Sequence, residues 1–317
     1  MPSVERIFCA CAPGLEPVLA AELASLGLAA GAVPGGAEAE GEDAAAWACL
    51  GSRAADAVAL RLWEGPAKDL PSGKRAARRA AGPRAELRVR TEGVRATISV
   101  DAAGAPLFRR GWRARVGAAP LRESIAAAIL LSCGWDGERP FLDPMCGSGT
   151  IAIEAALAAG RRAPGLGRSF AFEGLPGRDR ARTDRIRADL ARRARPIEVP
   201  IHASDRNAGA LRLAVRNAEA AGVAASIRFA RTDAADVAPP SGPGLCAVNP
   251  PWGVRLDEEV ERPWRALAVL LPRLAGWDVA VLSADDRSEA LLPARPAEAT
   301  RVLVGGRACR LLRYHVR

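Results

Sequence analysis

The sequence predicts an α/β fold, a Rossmann-like sheet of seven strands preceded by a small α+β region. Two observations carry this. From Phe141 onward, short apolar strands alternate with helical stretches, the pattern of a mostly parallel sheet flanked by helices. The first of these strands runs through a glycine turn into an apolar helix, which is how open α/β sheets build ligand sites at strand carboxyl ends. A chain of 317 residues can hold this large unit and a smaller one.

At the N-terminus, VERIFCACA alternates as a strand does, and PGLEPVLAAELASLG places Leu15, Val18, Leu19, Leu23 and Leu26 at helical spacing before Gly27. A Gly-rich turn follows, then a helix around 44–51 and a strand at 57–63. Residues 1–63 therefore read as a small α+β unit. Residues 64–85, rich in Pro, Gly and Arg, read as a basic linker, and AELRVRT and ATISVDA pair as a hairpin about Glu92 and Gly93. Together they make a connecting region, 64–106.

Residues 107–317 form the large unit. RESIAAAILLS is an apolar helix, and FLDPM, PIHASD, SIRFARTD, LCAVNP and WDVAVLS are strands. Two more strands about a Gly-Gly turn lie in TRVLVGGRACRLLRYHV. Among the helices between them, AGALRLAVRNAEAAG turns Leu211, Ala214, Val215 and Ala218 inward.

Composition narrows the chemistry. With 49% hydrophobic and 26% charged residues, the chain has the balance of a globular protein without a membrane span. The N-terminus lacks an apolar signal core, so a cytoplasmic location is expected. Seven scattered cysteines and only two histidines, His202 and His315, argue against a metal site, a disulfide framework or His-based catalysis. A net charge of +9 favours a polyanionic partner.

The strongest motif is Asp143-Pro144-Met145-Cys146-Gly147-Ser148-Gly149-Thr150, between strand and helix. Its glycines let backbone approach a ligand closely. A dinucleotide fold would seat a pyrophosphate on G-x-G-x-x-G. An acid in the turn instead repels phosphate and suits a cationic ligand such as S-adenosylmethionine. Asp205 and Asp233 end the next two strands, where they suit ribose hydroxyls and an adenine amino group.

Asn249-Pro250-Pro251-Trp252 follows the apolar strand LCAV. An exocyclic amine on a base is a poor nucleophile, because its lone pair is delocalised into the ring. The Asn249 side-chain oxygen and the Pro250 carbonyl can accept the amine's two hydrogens. The prolines stiffen the loop, and Trp252 can stack on an extruded base.

With these motifs the chain resembles the bacterial large-subunit rRNA guanine-N2-methyltransferases of the RlmL type, within the THUMP-containing methyltransferases. The resemblance covers most of 107–317, including APLRESIAAAI, LDPMCGSGTIAIEAA, RAPGLGRSFAFEG, SDRNAGALRLAVRNAEAAG and NPPWGVRL, and also GLEPVLAAELASLG near the start. It implies a class I methyltransferase sheet, a ferredoxin-like form for residues 1–63, and methyl transfer from S-adenosylmethionine to guanine N2 in 23S rRNA. It also implies cofactor contacts along Asp143–Thr150, from Glu123 and Ser124, from Asp205 and Arg206, from Asp233 and Ala234, and from Asn249. Asn249, Pro250, Pro251 and Trp252 become the target-amine site. The family usually has Tyr where this chain has Trp252, and its THUMP region is longer than the 64–106 segment. A tRNA guanine, an adenine N6, or a catalytically silent role in ribosome assembly remain the alternatives.

Arg109, Arg110, Trp112, Arg113 and Arg115 interleave charge with an aromatic, as an RNA-gripping segment or a surface connector does. GRDRARTDRIRADLARRARP reads as a helix with a solvated outer face.

Overall fold

The computed structural model describes residues 4–83, 85–113, 121–252 and 258–316. They divide into two compact units, one of residues 1–109 and 163–194, the other of 110–162 and 195–317.

The first unit opens with β1 (Val4–Ala10), α1 (Glu16–Ser25), β2 (Ala29–Val33), β3 (Gly36–Glu42), α2 (Ala44–Gly51) and β4 (Ala57–Pro66). Then come α3 (Leu70–Ala81), β5 (Leu87–Glu92) and β6 (Arg95–Asp101). The strands make one antiparallel sheet in the order β2-β3-β1-β4-β6-β5. Its core is small and aliphatic, with Ile7, Leu19, Leu23, Leu50 and Ile98 fully buried. The buried carboxylate of Glu22 on α1 accepts from Ser52 Oγ at 2.6 Å and from the backbone N–H groups of Arg53 and Ala54 at 2.7 and 3.0 Å, stitching α1 to the turn after α2.

Three local expectations change here. The Gly-rich "turn" after α1 is the hairpin β2–β3: its Ala, Gly and Glu residues have little strand propensity, and pairing of β3 along all of β1 imposes the form. The linker 64–85 carries the twelve-residue helix α3, whose inward stripe is only Gly73, Ala77 and Ala81. Small residues give a weak apolar signal but let the helix lie close: a Cβ on Gly73 would stand 2.5 Å from the Trp63 indole.

The third change concerns the border at 106. Residues 163–194, including α6 (Arg180–Arg192), pack with the first unit. Gly165 N–H donates to Leu50 O at 3.0 Å, and Phe172 N–H to Ala102 O at 2.9 Å. Arg182 pairs with Asp43 at 2.7 Å. The helix is mostly solvated but buries Thr183, Ile186 and Leu190. Such long-range partners leave no trace in local periodicity.

The second unit contains α4 (Glu123–Ser132), β7 (Phe141–Asp143), α5 (Thr150–Ala159), β8 (Ile201–Ser204), α7 (Ala208–Ala220), β9 (Arg228–Ala230) and β10 (Leu245–Val248). It ends with α8 (Glu258–Leu270), β11 (Asp278–Ser283), the short α9 (Asp286–Glu289), β12 (Glu298–Val304) and β13 (Arg307–His315). The sheet order is β12-β13-β11-β10-β7-β8-β9; β9 through β11 run parallel, and β13 and β12 close the edge antiparallel. This is the seven-stranded arrangement the sequence predicts. Strand order reverses between β7 and β10, which opens a crevice at their carboxyl ends. Leu142, Val248, Trp264, Leu267, Trp277, Val281 and Leu312 form the core beneath it. No helix among the described residues is long and apolar enough to cross a membrane.

Candidate active site

β7 ends on Asp143, and the chain turns through Gly147 and Gly149, whose φ angles of 53° and 86° admit side chains only with strain. Three contacts brace this loop. Cys146 N–H donates to Ser204 O on β8 at 2.9 Å. Gly147 N–H donates to Asp205 Oδ2 at 2.9 Å, and Asn217 Nδ2 on α7 to Ser148 O at 2.9 Å. Asp205 Oδ1 also accepts from Asn207 N–H at 2.8 Å, which fixes the carboxylate at the tip of β8. Each Asp205 oxygen keeps a further lone pair for a ligand hydroxyl.

The loop faces a cavity of about 500 Å³, within the range of small-molecule sites. Pro144, Met145, Gly147, Asp205, Arg206, Asp233, Ala234, Asn249, Pro250, Pro251 and Trp252 line it. The sequence-predicted residues of four separate strand ends thus converge on one space. Asp233 caps a short turn, accepting from Ala235 N–H at 3.3 Å, and its other oxygen lies 3.2 Å from the Arg262 guanidinium.

Other expected contacts lie off the cavity wall. Asp143 is 1% exposed and sits beneath the loop. Burial, reinforced by the charge of Asp205, pushes its carboxyl up to about 8. Cys146, Thr150, Glu123 and Ser124 are buried, and with Ser148 and Gly149 they are outside the lining. Burial also pushes the Cys146 thiol up, with Asp143 and Asp205 adding to it, so no ready thiolate stands here.

Asn249 is the most informative residue. Its Oδ1 is shut off from solvent and has no hydrogen-bond partner, although Asn249 lines the cavity. A buried unpaired acceptor costs about 1–3 kcal/mol, so a site that keeps one is shaped for a donor that arrives with the ligand. Beside it, Trp252 donates its indole N–H toward Leu282 O at 3.4 Å, and the Arg307 guanidinium lies 5.9 Å from the ring centroid.

The proposed RNA-gripping stretch is corrected in three positions. The Arg110 side chain is 3% exposed and pairs with the fully buried Glu154 at 3.4 Å. Arg113 spends its guanidinium on Glu123 at 3.0 Å, Leu121 O at 2.9 Å and Thr150 Oγ1 at 3.2 Å, and Trp112 is buried. Charge interleaved with an aromatic looks the same whether the cations face water or distant buried acids. Arg109 is exposed, and Arg115 lies outside the described residues.

Leu121, Arg262, Pro263, Ala266, Val304 and Arg307 complete the lining and were missed by motif reading. Topology supplies the signal for Arg307. β13 runs antiparallel to β11 with Arg310 opposite Ser283, so the start of β13 must reach the carboxyl edge of the sheet.

Comparison with known proteins gives this geometry a family. Residues 110–312 match the model of the RMKL-like methyltransferase domain. The chain belongs to that family. Residues 6–59 match the RlmL ferredoxin-like domain, in keeping with the order β2-β3-β1-β4. The ribosomal RNA large subunit methyltransferase K/L of Vibrio campbellii is 41% identical over 184 residues, 56% of this chain and 26% of the relative. Its counterpart in Vibrio parahaemolyticus is 40% identical over the same span. The alignment covers about a quarter of these relatives' length. Among solved structures, SMU.472, described as a methyltransferase and complexed with SAH, has a TM-score of 0.88 at 25% identity and covers 100% of this chain and 99% of its own. A predicted N6-adenine-specific DNA methylase from Listeria monocytogenes has a TM-score of 0.87 at 26% identity, covering 99% and 97%.

Proposed function

We propose that this protein is an S-adenosylmethionine-dependent RNA methyltransferase acting on the exocyclic N2 of a guanine in 23S rRNA. The observation that carries the reading is the unpartnered, buried Asn249 Oδ1 at the head of Asn249-Pro250-Pro251-Trp252, in a cavity with Asp205 and Asp233 from the carboxyl ends of other parallel strands. S-adenosylmethionine supplies an electrophilic methyl group when bound. The braced Asp143–Thr150 loop, Asp205, and Asp233 with Ala234 would hold it. Asp205 retains acceptor capacity for ribose hydroxyls, and Asp233 would offer a carboxylate to an adenine amino group.

Asn249 Oδ1 and the Pro250 carbonyl accept the target amine's hydrogens, which turns the nitrogen lone pair out of the ring. Trp252, steadied by its bond toward β11, stacks the base. Rate enhancement then rests on orientation and fixed dipoles, and the proton leaves the methylated, more acidic nitrogen to solvent. The rRNA assignment draws on the name of the Vibrio relatives. A second reading, transfer to adenine N6, draws on the name of the Listeria neighbour.

Purified protein, radiolabelled S-adenosylmethionine and total RNA from a host lacking the gene test both. Label in N2-methylguanosine of 23S rRNA supports the first reading, and label in N6-methyladenosine replaces it with the second. Absence of label, with cofactor binding shown separately and assembly intermediates tried, favours a silent binding factor. In the same assay Asn249→Ala is expected to retain cofactor binding while turnover falls by about 10²–10³. Unchanged turnover would remove Asn249 from its role.

A further inference from the structure

We infer that the outer face of α3 is a docking surface for the phosphate backbone of RNA. The inference builds on the reading of the substrate as RNA. Lys74, Arg75, Arg78 and Arg79 fall at positions i, i+1, i+4 and i+5 of the helix, and all four are exposed. Lys68, just before the helix, is exposed too, and Lys68 and Lys74 are the only lysines of the chain.

What marks these cations is that they cluster without acidic partners. Elsewhere in the same unit, Arg61, Arg88, Arg90, Arg95, Arg178 and Arg182 each meet a carboxylate. Among the described residues, Lys68, Lys74, Arg75, Arg78 and Arg79 pair with none. Arg78 donates instead to the carbonyls of Pro83 (3.1 Å) and Ala85, closing the end of the helix. Arg78 and Arg79 also suit the negative end of the helix dipole, but Lys74 and Arg75 lie outside the last turn and have no such use. Like charges crowded on one exposed face repel each other, and a polyanion relieves that repulsion while releasing its own counterions.

The opposite face excludes the other common acidic surface. A helix that enters a lipid interface needs a free apolar side. In α3 that side is Gly73, Ala77 and Ala81, already buried with Gly73 against Trp63. The face is therefore suited to contact phosphates from outside, which positions a nucleic acid without reading its bases.

The test uses the full chain and a fluorescein-labelled RNA hairpin, with affinity measured by anisotropy across a salt series. A K74A/R75A/R79A variant is expected to lower the slope of log K against log salt by about two to three. That corresponds to a loss of about 40- to 300-fold in affinity near 0.15 M salt. K74R/R75K/R79K should bind as the wild type does, and R88A/R90A, which removes paired arginines, should change little. Wild-type affinity and slope in the triple alanine variant overturn the docking surface, as do equal losses from R88A/R90A. Failure of the wild type to bind the hairpin, or α3-dependent binding to anionic vesicles in its place, also overturns it. If RNA binding depends on α3 while no methylated guanine is found, the substrate reading fails and the docking surface stands.

Discussion

A carboxyl group stripped of solvent keeps its proton, and Asp143 is in that position because the glycine loop folds over it. Unfolded, the same group ionises near 3.8; folded, it does so near 8. Between these values the folded state holds a proton that the unfolded state has released, so this residue costs stability progressively as pH rises through the window. Asp143→Asn keeps an acceptor for Met145 N–H and does not titrate. Its melting temperature relative to wild type, measured without ligand, is expected to be higher at pH 8 than at pH 5. A difference that does not move with pH would mean Asp143 ionises freely. That Asp205, Asp233 and Asn249 line one cavity was legible in the sequence, because they sit at strand ends that periodicity locates well. Their depth was not, since Asp143 and Asp205 occupy equivalent strand tips and only packing makes one a buried prop and the other a cavity wall.

At the level of elements, Arg110 and Arg113, ahead of α4, are tied down by ion pairs that reach into the helices behind them. Glu154 on α5 has no solvent contact, so removing its charge partner or the acid itself leaves an uncompensated polar group in the interior. Glu154→Ala is expected to lower stability by about 3–5 kcal/mol in urea denaturation. Combined replacement of Arg110 and Glu154 by Leu should recover much of that loss. Recovery distinguishes a desolvated pair from a residue needed for shape. The same pair marks where element-level reading failed: an exposed-looking Arg-Trp-Arg run and an acid 44 residues later meet only in three dimensions. Strands β7 to β13 were legible through their apolar cores, whereas β2, β3 and α3, built from Ala, Gly and charge, owe their form to the neighbours they pair with.

For the whole molecule, the path of the chain matters more than its length. The backbone passes from the first unit to the second, back again at 163, and out at 195. A fragment beginning at residue 107, the border suggested by sequence pattern, would carry 163–194 without the carbonyls of Leu50 and Ala102 that they bond. Phe170 and Phe172, both buried in the intact protein, would then seek other cover. Such a fragment is expected to aggregate or to bind S-adenosylmethionine at least tenfold more weakly than the full chain, by about 1.4 kcal/mol or more. A monodisperse fragment of full affinity would show that the partners of 163–194 among residues 1–106 are dispensable to the cofactor site.

That double passage also orders events during synthesis. Domains tend to fold as they emerge from the ribosome, N-terminal ones first. Here the leading unit stays unfinished until residue 194 has been made, and by then β7 and α5 of its companion are already out while β8 to β13 are not. At that stage the Ser204 carbonyl and the Asp205 carboxylate that brace the glycine loop have yet to be added. The cavity is thus started early and completed late, because Val304 and Arg307 of the antiparallel β12–β13 edge also line it.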